Sequence, residues 1–474
     1  MAFLIGGANS AADTGFSIAN SCRFNKADEA YVHKTPSAGN LDLWTYSMWF
    51  KRCGLGVDTP LFGASPAASN NFMNLTIRSS DDMDWSQYSY DSSAYEGRLL
   101  TNRKFRDPSA WMHLVAVWDS ANGTAGNRMR IYINGVEETS FATDTNPSSG
   151  RDSLVNYAIP QTVAADGTGS EFDGYLAEVY FIDGTAYAAS DFGEFNEDSP
   201  TIWQPKDASG LTFGTNGFYL DFEASDNLGN DANGGTDLTE VNLAATDQST
   251  DSPTNNFAVM NPLDNKWGAA TFTEGNLKIV TASANLAYNT STIALTSGKW
   301  YAEVKTVGTA QDPQVGIAGR NVTDNNAQLG YFDDNFAYMH DGQKQTGASA
   351  SSYGTAYGTD GDIIGIFLDL DNNKLYTADN GTINNSGTGI SITAPGSVTA
   401  GAYFFAGGDV NGSASMTFHW NFGNPIDSLS SAVADANGYG SFEFDPSDGG
   451  SSSFDGAAKD FLAICTKNLG SDGG

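Results

Sequence analysis

Lysine and arginine are scarce in this 474-residue chain: 23 basic residues stand against 56 acidic ones, which gives a formal net charge of −33. Nucleic-acid binding needs clusters of Lys and Arg that neutralise phosphates, and acidic lipid surfaces attract the same side chains. The shortage therefore argues against nucleic acid and membrane surfaces as partners. Such acidity instead favours solubility in a salty medium, where screening weakens mutual repulsion.

Cysteine and histidine are also rare. Cys22, Cys53 and Cys465 are odd in number, far apart and outside any CxxC spacing, and four histidines are scattered along the chain. Neither a disulfide framework nor a zinc site is indicated. The sequence contains no G-x-S-x-G elbow and no phosphate-binding P-loop. We therefore assign no catalytic residue and no metal ligand.

Long hydrophobic runs are missing as well. The start, "MAFLIGGANSAADTG", has an apolar run of about four residues and no basic flank, too short for a signal peptide. No stretch approaches the roughly 20 apolar residues that span a bilayer. We expect the protein to accumulate in the cytoplasm in which it is made.

Glycine and aromatic residues are abundant, with 53 Gly, 20 Tyr and 28 Phe. Together with many Ser, Thr, Asn and Asp they are typical of short strands separated by turns. In "LWTYSMWFKR" (43–52), Trp44, Tyr46, Met48 and Phe50 alternate with Thr45, Ser47, Trp49 and Lys51, which predicts a half-buried strand. The segment "AWMHLVAVWDS" (110–120) is apolar on both faces and predicts a central strand.

Asn134-Gly135, between two β-rich runs, predicts a hairpin. A second hairpin is predicted in "GDIIGIFLDLDNNKLYTADNG" (361–381), whose aspartates also suggest a calcium loop. An EF-hand loop needs Gly at its sixth position and Glu at its twelfth, and these positions hold Lys374 and Asn380. Because Asp and Asn also suit turns, we interpret the stretch as a buried hairpin.

The chain divides into two β-rich series. Residues 223 to 256 lack periodicity and are interpreted as a linker or long surface connection. The tail "GAAKDFLAICTKNLG" (456–470) predicts either a helix with Gly470 at its C-cap or an extended docking segment. The predicted organisation is an all-β protein of two β-sandwich domains, bounded as follows: N-terminal arm 1–18, first jelly roll with its trailing segment 19–222, linker 223–262, second sandwich 263–445 and docking tail 446–474.

Both series resemble known families. In the second, "GKWYAEV" (298–304), "QVGIAG" (314–319) and the hairpin motif above resemble a SPRY domain. In the first, "LWTYSMWFKR", "AWMHLVAVWD", "MRIYINGVEE" and "FDGYLAEVYFIDG" resemble a concanavalin A-like, laminin-G type jelly roll. The SPRY resemblance implies binding through loops without catalysis. The laminin-G resemblance makes Ca²⁺ a candidate ligand, although no Ca²⁺ ligands are assigned.

The pairing of the two modules resembles large structural proteins of marine tailed phages. That resemblance implies a virion protein, such as a fibre, tail-associated or capsid decoration protein, with other virion proteins as partners. The absence of a signal peptide agrees with assembly in a host cytoplasm. A homo-oligomer or multivalent array is expected, and the N-terminal arm is a candidate anchor.

The jelly roll also hosts glucanases, whose retaining members need two carboxyls about 5 to 5.5 Å apart. The nearest match is "EFDGYLAE", with Glu171, Asp173 and Glu178. In a regular strand Glu171 and Glu178 point to opposite faces, although one bulge would correct the parity. His113 and His419 alternate with apolar neighbours, which indicates satisfied core histidines. The sequence therefore favours a protein that is not an enzyme.

Carbohydrate binding calls for exposed aromatic faces beside polar groups. The segment "DDMDWSQYSYDSSAYEG" (81–97) offers such residues, and the loops of the second module supply acids and aromatics. The alternative is strand and turn with the aromatics in the core. The candidate ligand-binding residues are Trp85, Tyr88, Tyr90, Tyr95, Asp333, Asp334, Tyr353 and Tyr357.

Three functions follow in order. The first is a non-enzymatic virion protein whose lectin-like modules adhere to host-surface glycans or proteins through many weak contacts. The second is a pure capsid decoration protein that stabilises the shell and has no host ligand. The third is a glucanase-like depolymerase.

Overall fold

A computed structural model describes residues 4–5, 16–66, 71–265, 270–281, 286–308, 312–321, 327–410, 415–447, 454–455 and 460–471. Within these residues the chain is nearly all β, as predicted. It forms two compact units. We call residues 11–254 the first unit, and residues 1–10 with 255–474 the second unit.

The strands up to residue 254 are β1 (Leu4–Ile5), β2 (Ser21–Phe24), β3 (Tyr31–Lys34), β4 (Leu43–Arg52), β5 (Thr59–Ala64), β6 (Phe72–Ile77), β7 (Met83–Ser89), β8 (Ala94–Thr101), β9 (Met112–Asp119), β10 (Met129–Ile133), β11 (Val136–Glu137), β12 (Phe141–Thr145), β13 (Gln161–Val163), β14 (Gly174–Asp183), β15 (Gly193–Phe195), β16 (Trp203–Pro205), β17 (Phe218–Leu220), β18 (Thr239–Val241) and β19 (Gln248–Ser249).

The later elements are β20 (Met260–Asn265), β21 (Thr271–Thr273), β22 (Lys278–Val280), β23 (Ala287–Ser291), β24 (Ile293–Ala294), β25 (Lys299–Val307), β26 (Pro313–Ala318), β27 (Asn335–Met339), β28 (Gln343–Thr346), β29 (Ser349–Ser352), β30 (Ile363–Asp369), β31 (Lys374–Asp379), β32 (Thr382–Ile383), β33 (Ile390–Ser391), β34 (Phe404–Asp409), β35 (Thr417–Asn421), β36 (Leu462–Ala463) and the helix α1 (Thr466–Ser471). Short 3-10 turns lie at Lys26–Asp28, Ala125–Asn127, Ala189–Asp191, Ala245–Asp247, Asn384–Gly387 and Pro395–Ser397.

The first unit is a sandwich of two antiparallel sheets. One sheet has the order β11-β10-β9-β4-β14-β2-β19, with β17 also paired to β14, and the other has the order β12-β8-β7-β6-β5-β13-β3-β18. Alternate side chains of both sheets fill the core between them, and Trp44, Tyr46, Met48 and Phe50 of β4 are all buried there, as their spacing predicts. The predicted Asn134-Gly135 turn joins β10 to β11.

The outer face of β4 is also covered, so this strand is buried on both faces rather than half-buried. Trp49 packs with Ile18, Trp111 and Tyr175 in a separate apolar cluster. Val115 and Val117 of β9, which is central as predicted, pack on their outer side against residues from the segment 180–219. The chain that follows β14 therefore forms an extra layer over this sheet.

Residues 223–254, predicted as a linker, belong instead to the first unit. Strand β18 pairs with β3, and β19 pairs with β2. Asp251 is fully buried, accepts a hydrogen bond from Trp111 Nε1 at 2.8 Å and forms an ion pair with buried Lys51 at 2.7 Å. A short polar strand carries no periodic signal, which is why composition alone made this segment resemble a linker.

The second unit has two more sheets. Their orders are β20-β23-β34-β26-β27-β28-β29 and β21-β22-β35-β25-β30-β31-β32, with β33 paired to β31 and β36 to β25. The interpreted hairpin is confirmed: β30 and β31 pair from Ile364–Asp379 to Asp369–Lys374. Asp369 accepts a hydrogen bond from the backbone N–H of Asn372 at 2.9 Å, which is the turn role expected of it.

The described parts of both terminal segments belong to the folded units, and the rest of the predicted arm, residues 1–3 and 6–15, lies outside the described residues. Leu4–Ile5 pairs in parallel with β24, and Ile18 N–H donates to Thr254 Oγ1 at 2.9 Å, so these parts of the predicted arm are held in place. The tail is neither one helix nor one extended segment: β36 pairs in parallel with β25, and α1 follows with Gly470 inside it. Phe461 and Cys465 lie in a small core on that sheet.

Candidate functional site

Three aromatic residues form a row across neighbouring strands of the first unit. Tyr88 of β7 is the direct cross-strand partner of Phe72 on β6 and of Tyr95 on β8. Its ring stacks on Phe72 with centroids 5.4 Å apart and meets Tyr95 edge-on at 5.1 Å. Tyr95 is 40% exposed, while Phe72 and Tyr88 are half-buried. We call Phe72, Tyr88 and Tyr95 the aromatic row.

An ion pair borders the aromatic row. The guanidinium of Arg98 lies 4.5 Å from the centroid of the Tyr95 ring. The same group donates from Nε and Nη2 to both carboxylate oxygens of Asp84, with the Nε–Oδ1 distance at 3.1 Å. The hydrogen bond to Asp84 raises the pKa of Arg98, so this side chain keeps its charge. The surface thus combines an exposed tyrosine, two half-buried aromatic rings and a fixed ion pair, which are groups that can contact a sugar ring.

Of the four residues predicted in this stretch, the structure brings Tyr88 and Tyr95 together. Tyr90 is 58% exposed on the turn between β7 and β8. Trp85 is not available, because it is fully buried and lies 5.6 Å from the ring of Trp44. In the sequence, Met83 and Trp85 alternate with Asp84 and Ser86, and this alternation indicates that Trp85 faces the core. Phe72 and Arg98 were missed because only the strand register places them beside Tyr88 and Tyr95.

A second surface is an open groove of about 350 Å³ in the second unit. It is lined by Arg320, Tyr331, Phe332, Asp333, Asp334, Thr393 and Ser397. Tyr331 is 50% exposed, and the Arg320 guanidinium lies 4.0 Å from the centroid of the Phe332 ring. The predicted residues Asp333 and Asp334 therefore lie at a concave site, whereas Arg320 and Tyr331 were missed by sequence reasoning.

The two aspartates of the groove have different roles. Asp333 is exposed. Asp334 is buried and accepts hydrogen bonds from Arg320 Nε at 2.7 Å and from Thr399 Oγ1 at 2.6 Å. Burial opposes its ionisation, but the bonds from Arg320 and Thr399 outweigh it and hold the pKa of Asp334 below its usual value. Asp334 thus positions Arg320, and only Asp333 is exposed to a ligand.

The predicted loop aromatics Tyr353 and Tyr357 are core residues. Both are buried, and the Tyr357 hydroxyl donates to the carbonyl of Tyr338 at 2.9 Å. Their rings pack around Tyr338, with the Tyr338 and Tyr357 centroids 5.0 Å apart. These two rings are therefore unable to stack on a ligand. Their spacing in a Gly- and Ser-rich segment suggested a surface loop, but the loop folds back onto the sheet.

The carboxyls of Glu171, Asp173 and Glu178 do not form the carboxyl pair that glucanase chemistry needs. Strand β14 does contain a bulge at Glu178, which has φ +50° and interrupts the register with β4. Glu178 accepts hydrogen bonds from the Tyr180 hydroxyl and from the Tyr219 hydroxyl, the latter at 2.8 Å. The charges nearest Glu171 are instead those of Glu29, Asp166 and Lys26. The two glutamates therefore lie in separate surroundings.

Glu178 is a buried acid whose hydrogen-bond partners among the described residues are two tyrosines. Burial raises its pKa to about 7, because the two tyrosine hydrogen bonds that favour the charged form do not offset the loss of water, and Asp221 and Asp207 add repulsion. The Tyr180 and Tyr219 rings stack with centroids 4.4 Å apart beside it. Burial also raises the pKa of both tyrosines. Glu178 thus sits in a closed polar cluster.

His113 lies beside a serine but has the wrong tautomer for a catalytic base. Its Nε2 is 2.9 Å from Ser47 Oγ, and Trp203 Nε1 donates to its Nδ1 at 3.1 Å. An indole N–H only donates, so Nδ1 carries no proton and Nε2–H points at Ser47. Burial lowers the pKa of His113 to about 3. It is a satisfied core histidine, as its spacing indicates.

Within the described part of the chain, no three His, Cys, Asp or Glu side chains are grouped so as to hold a metal ion. Among the described helices, none is long and apolar enough to cross a membrane.

Comparisons with known proteins bear on the fold. A search of curated proteins gave no match. Among solved structures, the chain is similar to the SPRY domain of human HERC1, with 16% identity and a TM-score of 0.28 over 34% of this chain and 96% of that one. It is also similar to stonustoxin, with 14% identity and a TM-score of 0.27 over 35% of this chain; the match spans only 27% of the stonustoxin chain. Residues 26–189, which include the aromatic row, match the Laminin_G_3 model of the concanavalin A-like lectin/glucanases superfamily.

Proposed function

We propose that this chain is a non-enzymatic glycan-binding protein and that the aromatic row of its first unit carries the binding. The single observation behind this proposal is that Tyr88 and Tyr95 meet on an open sheet surface beside the Arg98–Asp84 ion pair. The C–H face of a pyranose ring packs on such rings, while guanidinium and carboxylate groups bond its hydroxyls. The match of this region to a superfamily that contains lectins supports the proposal.

The charge of the protein indicates which glycans it binds. With a net charge of −33, the chain repels polyanions over distances up to a Debye length. Arg98 offers no compensating free charge, because Asp84 already pairs with it. We therefore infer a neutral glycan as the ligand.

The proposal also includes a location for the protein, as a component of a virion. A virion component that displays many copies gains avidity from weak single sites, because each further contact is intramolecular. The resemblance of the two paired modules to phage structural proteins supports this setting, and host-surface glycans would be the ligand. The groove at Arg320 and Tyr331 is a second contact surface on the same chain.

We expect Tyr88→Ala and Tyr95→Ala to weaken binding to neutral oligosaccharides about tenfold or more, since each removes apolar contact corresponding to roughly 1.4 kcal/mol or more. Glucose- and mannose-based oligosaccharides, titrated by calorimetry after a glycan array has selected the best, provide the measurement. Tyr157→Ala removes an exposed tyrosine that does not belong to the aromatic row, 50% exposed against 40% for Tyr95, and serves as the control.

Tyr331→Ala tests the groove separately, and we expect it to leave binding at the aromatic row unchanged. Unaltered binding in both aromatic-row variants would contradict the proposed site. Release of reducing ends from the bound oligosaccharide, abolished by Glu171→Gln, would contradict a non-enzymatic role.

A further inference from the structure

Strand β29, Ser349–Ser352, forms an open edge of the second unit. It lies at the end of the order β20-β23-β34-β26-β27-β28-β29, so its other side pairs with no strand of the described residues. All four of its residues are exposed. An edge of this kind presents backbone N–H and C=O groups that another strand can bind.

Hydrogen-bonded and non-hydrogen-bonded residue pairs alternate along an antiparallel ladder, and this alternation shows which backbone groups of β29 face outward. Gly347 and Ala348 form the two-residue turn between β28 and β29, both with positive φ. In such a hairpin the pair next to the turn, Thr346 and Ser349, is hydrogen-bonded, and bonding then alternates along the ladder. Ala350 and Ser352 therefore direct their N–H and C=O groups away from β28.

Three other edges of the two units, β20, β12 and β18, carry features that block pairing, and the remaining edges β11, β19, β21 and β32 are only two or three residues long. Strand β20 contains Pro262 and Asp264, and its register with β23 is interrupted. Strand β12 contains Asp144, and its register with β8 is interrupted. Strand β18 contains Glu240. Proline, charge and bulges are the usual means of preventing edge-to-edge association. Strand β29 has the sequence Ser-Ala-Ser-Ser and none of these features.

Charge favours a second copy of the same chain as the occupant of this edge. Residues 342–359 contain one charged side chain, Lys344, in a protein that carries 56 acids. Two copies with a net charge of −33 each repel one another, so they can approach closely only where acids are missing. The four residues of β29 carry no charge, and two exposed acids, Asp333 beside Gly347 and Asp341 beside Gln343, lie at the two ends of the hairpin rather than along this edge.

We propose that β29 pairs with β29 of a second copy, antiparallel and about a two-fold axis at Ser351, which extends the sheet across both chains. In this register Ala350 of one copy faces Ser352 of the other, and the outward backbone N–H and C=O groups of both residues form hydrogen bonds across the axis. This is an isologous contact, the commonest kind in homodimers. It goes beyond the glycan proposal and does not depend on it.

Sedimentation velocity across a concentration series tests the pairing. As the concentration rises, we expect the sedimenting mass of the full chain to increase from that of one chain to that of two. The variants Ala350→Pro and Ser351→Asp should keep the mass of one chain at every concentration. Proline removes the outward N–H of Ala350 without touching the ladder to β28. Asp at position 351 places two negative charges opposite each other on the axis. Ser149→Asp adds the same charge to an exposed turn of the first unit and should dimerise as the unchanged chain does.

Hydrogen exchange gives a residue-level readout. We expect the amides of Ala350 and Ser352 to gain protection as concentration rises, while the amide of Ser351 is protected throughout by β28. A full chain that stays monomeric at every concentration, or an Ala350→Pro variant that dimerises normally, would overturn the pairing. Because these assays contain no glycan, their failure is distinct from a failure of the proposed function.

Discussion

Asp251→Ala is expected to lower the free energy of unfolding of the first unit by about 3 to 5 kcal/mol. The substitution removes the carboxylate that lies 2.7 Å from the fully buried Lys51 ammonium and also removes the acceptor of Trp111 Nε1. A buried charge that loses its counter-ion is among the costliest defects that a core can hold. Urea denaturation followed by tryptophan fluorescence measures the loss, since Trp111 and Trp49 lie in the adjoining cluster.

Asp226→Ala is the matched control, because it removes an exposed aspartate from the same segment. We expect that variant to lie within about 0.5 kcal/mol of the unchanged chain. Asp251→Asn keeps an acceptor for Trp111 but removes the negative charge opposite Lys51, so most of the loss should remain. Equal stability of Asp251→Ala and Asp226→Ala would contradict the placement of residues 223–254 in the folded unit.

Glu178 is expected to make the first unit less stable as the pH rises through neutrality. Its pKa is about 7 in the folded state against a usual value of 4.5, so between these values the folded chain holds the proton more tightly than the unfolded chain. Stability from this group is then fully present below pH 4.5 and is lost as the pH rises through 7. At 1.36 kcal/mol per pKa unit, the difference between 4.5 and about 7 corresponds to at most roughly 3.4 kcal/mol.

Glu178→Gln should abolish this slope, because an amide stays neutral and can still accept from one tyrosine and donate to the other. We therefore expect the variant to be more stable than the unchanged chain at pH 8 and about equally stable at pH 4.5. Thermal denaturation across that pH range is the measurement. Glu223→Gln, at an exposed position, is the control and should keep the slope. If the stability of Glu178→Gln still falls as the pH rises, another group causes the pH dependence.

The alternation of residues was enough to predict the long apolar strands and the two apolar cores, although not the short polar strands β18 and β19. In β4, "LWTYSMWFKR", the side chains expected to point together do fill one core. The Asn134-Gly135 turn and the 363–379 hairpin also follow from local rules, because turn chemistry and period-two patterning act over a few residues. These features need no knowledge of distant parts of the chain.

The candidate site could be predicted only in part. Tyr88 and Tyr95 were found from an aromatic-rich stretch, but Trp85 in the same stretch faces the core, and Phe72 and Arg98 come from other strands. In the second unit Asp333 and Asp334 do line a groove, whereas Tyr353 and Tyr357 are buried. Composition identifies which residue types are present, but it does not indicate which side of a loop faces solvent.

The sequence by itself determined an acidic, all-β chain with two apolar cores, because alternation and turn residues act through neighbours in the chain. Only the tertiary structure decided that Asp251 meets Lys51 and that Phe72, Tyr88 and Tyr95 share one row. It also decided that Glu178 is closed in with two tyrosines. The physical reason is that strand register, bulges and the covering of a sheet face arise from contacts between residues far apart in sequence, which no local pattern encodes.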